Sequence, residues 1–193
     1  MIRAFVFLLL SVLLLGCSAA AGAPPSAPTP GTASAPSSGT ASGARFTTTD
    51  VAWLQLADAL HARALPLLAL VPERSGDREL AELAVRLRKE HETGRGRLRA
   101  LLARTGVTGE NPHAQHDMPG MPTADDLRAL TALRDDAFDR RFVTLVRAHL
   151  DQLVLVAKGE QTSGGAPEAR KLAAAMERDH AAALAELERA GDQ

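Results

Sequence analysis

The chain has 193 residues, with 22 Lys and Arg against 23 Asp and Glu and a formal net charge of −1. Such neutrality, with no tyrosine and one tryptophan, argues against a nucleic-acid partner, which would need a basic face and aromatic stacking platforms. A single cysteine excludes an intrachain disulfide and a thiolate metal cluster.

Met1-Ile2-Arg3 followed by the apolar run Ala4 to Leu15 reads as a signal segment, too short to remain as a membrane-spanning helix. Leu14-Leu15-Gly16-Cys17 looks like a bacterial lipobox. Cys17 would then be acylated, with palmitate among the attached chains, and would tether the mature protein to the extracytoplasmic face of the cell membrane. Residues 18–45 are almost only Ala, Pro, Ser, Gly and Thr, a composition that cannot build a core and reads as a disordered linker. Its reach is a few nanometres, on the order of 5–6 Å times the square root of its length. Residues 46–193 are long enough for one domain with one core.

Within that domain, Thr48 or Thr49 can cap a first helix that opens with Asp50. Its apolar stripe is Leu54, Ala57, His61, Ala64, Leu68 and Val71, and Pro66 predicts a kink one turn after His61. Pro72 to Gly76 reads as a turn. A second helix starts near Asp77, carries Leu80, Ala84, Leu87, His91, Gly94, Leu98 and Leu101 in one stripe, and ends at Thr105-Gly106. Gly94 and Gly96 each cost this helix about 1 kcal/mol relative to alanine, which points to close approach of a backbone or ligand, or to a loose helix. A long connection to Pro122 contains His113, His116, Asp117, Met118 and Met121. Thr123, with Asp126 three residues on, opens a third helical region; after a break near Arg134 to Asp136 it carries Phe138, Phe142, Leu145, His149, Leu153 and Val156 and ends near Gly159. Ser163-Gly164-Gly165 turns the chain into a last helix opening at Pro167, with Leu172, Met176, His180, Ala183, Leu187 and Ala190 in its stripe. No stretch alternates with period two, so the fold class is all-α.

The two halves repeat. His61 and His91 are 30 residues apart and His149 and His180 are 31 apart, each pair spanning a helix end, a turn and the next helix start. Two such antiparallel hairpins make a four-helix bundle in which the four histidines approach one layer.

Asp117-Met118-Pro119-Gly120-Met121, followed by Leu127, Leu130 and Asp136-Ala137-Phe138-Asp139-Arg140-Arg141-Phe142, resembles the bacterial envelope proteins of domain-of-unknown-function family 305 over Thr48 to Ala190. The resemblance implies a ferritin-like four-helix fold of two hairpins and an association with copper and silver handling. Members usually carry a His-His pair on the first and third helices and a Gln with a following Glu on the second and fourth. Here Leu60-His61 and His149-Leu150 keep one histidine of each pair, His91 and His180 replace the Gln, and Gly94 and Ala183 stand where Glu is usual. Only His61, His149, Met118 and Met121 match positions the family uses. Lys89-Glu90-His91 and Arg178-Asp179-His180 also resemble the Asp-His pattern of family 4142, another ferritin-like envelope group.

Two candidate metal sites follow. One is the bundle set His61, His91, His149 and His180, since imidazole suits Cu, Zn and Ni; the alternative is four structural histidines, each satisfied within the core. The other is the loop set His113, His116, Met118 and Met121, whose thioethers favour Cu(I). A di-iron oxidase would need Glu on two helices and Glu-x-x-His on the other two. Only Glu177-x-x-His180 and a weaker Asp58-x-x-His61 are present, so no enzyme is expected. The expectation is therefore a lipid-anchored envelope protein that binds or buffers copper, with a copper-handling envelope protein as its partner. The competing expectation is a metal-free interaction module whose histidines are structural or pH-responsive.

Overall fold

The computed structural model describes residues 45–191. The signal segment, Cys17 and all but the last residue of the linker lie outside the described residues. Among the described residues all regular structure is helical: α1 (Thr48–Ala69), α2 (Val71–Arg74), α3 (Arg78–Thr105), α4 (Ala124–Thr131), α5 (Asp135–Ser163) and α6 (Pro167–Gly191). The long helices pair α1 with α3 and α5 with α6, and the pairs meet where α1 packs on α5 and α3 on α6.

Several helix ends follow from their sequence. Asp77 caps α3 by accepting from the amides of Glu79 and Leu80, at 2.7 and 3.1 Å, and Gly106 ends it in the left-handed conformation at φ 76°. Thr123 and Asp126 form a capping box at the start of α4. Three expectations shift. The cap of α1 is Thr47, with Asp50 as its capping-box partner. Pro72 sits in the short helix α2, where its missing donor is tolerated in the first turn. The third long helix, α5, runs past Gly159 to Ser163.

Buried apolar side chains fall into two clusters. The larger takes Leu60, Ala64 and Leu67 from α1, Leu80 and Leu87 from α3, Phe138, Phe142 and Leu150 from α5, and Leu187 from α6. The smaller contains Trp53, Leu54, Leu98 and Met176 with five alanines, Ala57, Ala157, Ala166, Ala169 and Ala173. Along α3 and α6 the residues of one cluster give way to those of the other at His91 and His180, and along α1 they do so between Ala57 and Ala59, just before His61. His149 lies beside Leu150, within the stretch of α5 that serves the larger cluster. The core is thus divided by a polar layer.

At the far end of the smaller cluster, Asp50 is fully buried. Its carboxylate accepts from Thr47 Oγ1 at 2.7 Å and from the amides of Gly165 and Ala166, each at 3.0 Å, so one side chain ties the start of α1 to the α5–α6 turn. Against the opposing effect of burial, the hydrogen bonds from Thr47 and Ala166 hold Asp50 down at about 2. No donor reaches either oxygen of the neighbouring Glu160. Burial, then the Asp50 charge, push Glu160 up to about 8, so it keeps its proton and donates it to Asp50. The turn wraps this pair tightly: a Cβ on Gly164 would overlap the Glu160 carboxyl and one on Gly165 the Thr47 side chain.

Because the unfolded chain loses the Glu160 proton near 4.5 while the folded chain holds it to about 8, the contribution of Glu160 to stability falls as pH rises between those values. Glu160→Gln keeps a donor toward Asp50 without this titration. Its thermal midpoint is expected to exceed that of the parent at pH 8 but not at pH 5, as followed by circular dichroism.

Candidate metal centre

Each long helix contributes one histidine, and all four are at most 5% exposed. Their rings form one contact group. His91 is its hub, with ring centroids 4.6 Å from His61, 5.1 Å from His149 and 5.9 Å from His180, while His61 and His180 are 5.2 Å apart.

Hydrogen bonds assign the tautomers. A carbonyl oxygen only accepts, so His61 Nδ1 carries its proton and donates to Ala57 O at 2.7 Å, one turn back on α1. That leaves a lone pair on His61 Nε2. By the same reasoning His149 Nδ1 donates to Gly120 O at 2.9 Å, and its Nε2 is an acceptor. His91 Nε2 lies 2.8 Å from His149 Nε2 and must therefore be the donor of that pair, which places the lone pair of His91 on Nδ1. Both His91 Nδ1 and His180 Nδ1 are buried without a partner. One nitrogen from each of His61, His91 and His180 lies within 4.8 Å of the others. His149 stands behind His91 and links it to the backbone of the loop before α4.

Burial keeps the rings neutral, the protonation state a metal requires. It pushes His61 and His149 down to about 4 and His180 to about 2, and it takes His91 well below the ordinary range, with the neighbouring rings adding to the effect. Two carboxylates near histidines in the sequence are engaged elsewhere. Asp58 accepts from Arg95 at 3.0 Å and lies 3.1 Å from Arg99; Glu177 faces Gln161 at 3.3 Å and Lys158 at 3.8 Å on α5.

The layer is open on one side. A cavity of about 520 Å³ between α3 and α6 reaches His61 and His180 and is also lined by Gly94, Met176, Glu90 and Asp179. Gly94 makes room for the site: an ideal Cβ there would lie 3.1 Å from Met176 Cε and 3.4 Å from His61 Nε2. Gly96 meets nothing within 4 Å, so of the two glycines inside α3 it is Gly94 that marks a close approach.

The loop residues are distributed differently. Met121 is buried in the larger cluster and Met118 packs against it, Asp117 pairs with Arg63, the His113 amide donates to Asn111 Oδ1 at 2.9 Å, and His116 is exposed. Gly120, at φ 76°, lets the loop lie on α5, where a Cβ would come within 3.0 Å of Ala148 O. Among the described residues, His113, His116 and Asp117 join no group of three nitrogen or carboxylate donors like that in the bundle.

A family model described as Domain of unknown function (DUF305) matches residues 50–190. The chain belongs to the DUF305 family. Solved structures agree on the fold: a DUF305 fragment from Deinococcus radiodurans has 23% identity and a TM-score of 0.67, covering 77% of this chain and 99% of that one. A DUF305 protein from Streptomyces coelicolor has 21% identity and a TM-score of 0.63, covering 72% and 89%. CopM in its Cu(II)-bound form has 21% identity and a TM-score of 0.64, covering 74% and 95%. No curated protein matches this DUF305 chain.

The lowered histidines set the sign of an acid response. Above 6.5 they are neutral in both folded and unfolded chains; below it the unfolded chain takes up protons that the folded layer refuses until about pH 4 or lower. Glu160 acts in the opposite direction with one proton, so the histidines dominate. Urea midpoints are expected to fall between pH 7.5 and pH 5, and to fall less steeply in His91→Leu.

Proposed function

We propose that this DUF305 protein is a lipoprotein anchored to the extracytoplasmic face of the cell membrane through Cys17, whose ferritin-like four-helix bundle binds or buffers copper. The observation that carries this reading is the convergence of His61, His91 and His180, with one nitrogen from each within 4.8 Å of the others. The site fits an ion because two of the rings hold buried nitrogens without partners and Gly94 leaves a gap beside the third. Neutral imidazoles suit copper, zinc and nickel. The Cu(II)-bound state of CopM supports copper among these, and the description of the Streptomyces coelicolor relative as a secreted protein supports the location. His149 acts behind the ligands, orienting His91 as outer hydrogen-bond partners orient metal-bound histidines. The role is storage or hand-over to a copper-handling envelope protein rather than catalysis, because Asp58 and Glu177, the carboxylates an oxidase site would recruit, are held by Arg95, Arg99, Gln161 and Lys158.

A second reading has one observation in its favour. The His91–His149 hydrogen bond pairs one nitrogen on each of two rings without any ion, as a purely structural layer in an interaction module would require.

Metal analysis of the full chain carrying Cys17→Ser, which removes a competing thiol, separates the two. One tightly bound copper per chain is expected, lost in His91→Leu with His180→Leu and kept in Met118→Leu with Met121→Leu. A parent chain that holds no stoichiometric metal overturns the copper reading. Retention in the histidine variant with loss in the methionine variant moves the site to the loop. Gly94→Ala is expected to change stability by no more than about 1 kcal/mol while weakening copper binding roughly tenfold, read by competition with a chromophoric chelator.

A further inference from the structure

We propose that Met176 is a metal ligand, its thioether sulfur completing the set formed by His61, His91 and His180 and making the centre one for a soft monovalent cation, Cu(I). The inference rests on the copper-binding reading above and adds to it a fourth donor and an oxidation state.

Met176 lies one turn before His180 on the same face of α6 and is 5% exposed. It belongs to the smaller apolar cluster but stands at the edge where that cluster meets the histidine layer. The end of its side chain and the lone-pair nitrogen of His61 approach the same point, since a Cβ on Gly94 would be 3.1 Å from Met176 Cε and 3.4 Å from His61 Nε2. Met176, His61 and His180 line one cavity. An unbranched side chain with three rotatable bonds can turn its sulfur toward that gap, where a branched leucine could not.

The charge balance selects the oxidation state. Three neutral imidazoles and a thioether contribute no negative charge, Asp58 on α1 is already neutralised by two arginines, and Glu90, Asp179 and Glu186 along the cavity are matched by Arg86, Lys89 and Arg97. A divalent ion in this layer would therefore keep its full charge in a buried setting, a large desolvation cost. Cu(I) brings half that charge and, unlike Zn(II), binds thioether readily. No electron transfer is needed, because the ion enters and leaves in one oxidation state.

The test uses the full chain with Cys17→Ser, loaded with Cu(I) or Zn(II) under reducing, oxygen-free conditions. X-ray absorption of the Cu(I) form is expected to contain a sulfur scatterer in the first coordination sphere that survives Met118→Leu with Met121→Leu and disappears in Met176→Leu. In Met176→Leu, a near volume-conserving change, Cu(I) affinity is expected to fall at least about tenfold while Zn(II) affinity stays within about threefold. A nitrogen-only Cu(I) sphere in the parent, or equal losses of Cu(I) and Zn(II) in Met176→Leu, overturns the role of Met176. Those results leave copper binding by the histidines standing; a parent that binds neither metal overturns both.

Discussion

Burying four imidazoles in one layer is the constraint on which the fold and its chemistry depend. A buried polar ring without a partner costs free energy, and here part of the cost is relieved by the Ala57 and Gly120 carbonyls and by the His91–His149 contact. The relief is incomplete, because His91 Nδ1 and His180 Nδ1 remain without partners. Apolar packing above and below holds the rings in place: the larger cluster fills one end of the helices and the alanine-rich one the other. Local stability is given up for an arrangement of donors that an apolar layer would not provide.

Much of this was legible in the residues. The stripe from Leu54 on α1 to Val71 at the start of α2 is buried throughout, and the 30- and 31-residue spacings anticipated that all four histidines would share one neighbourhood. The α5 stripe was less well resolved. Leu145 and Val156 are half-buried, whereas Val146, Leu150 and Ala157 are buried, because apolar residues stand on both sides of the true face and hydrophobicity alone does not fix the rotation. Three consecutive threonines likewise hid the cap of α1, since Thr47 is distinguished by Asp50, whose other partners are more than a hundred residues away.

The centre itself was legible only in outline. Counting along the helices gave four equivalent histidines, but the hydrogen-bond directions divide them into three with nitrogens facing one another and one that supports His91. Gly94 stood out as an expensive residue for a helix, and the gap it leaves explains it. Met176 carried no distinguishing signal, being a methionine at an apolar position one turn from His180. The Asp50–Glu160 pair was invisible as a pair, since it depends on how α1 meets the α5–α6 turn.

That pair also has a mechanical side. Any tension arriving from the chain before Thr47 enters the fold at the capped end of α1, where Asp50 grips the amides of Gly165 and Ala166. Peeling α1 away would require these bonds and the capping box to fail together, with the load shared across the α5–α6 turn rather than passed along α1 one residue at a time. The N-terminal end of the domain is therefore built as a clamp, with the histidine layer beyond it.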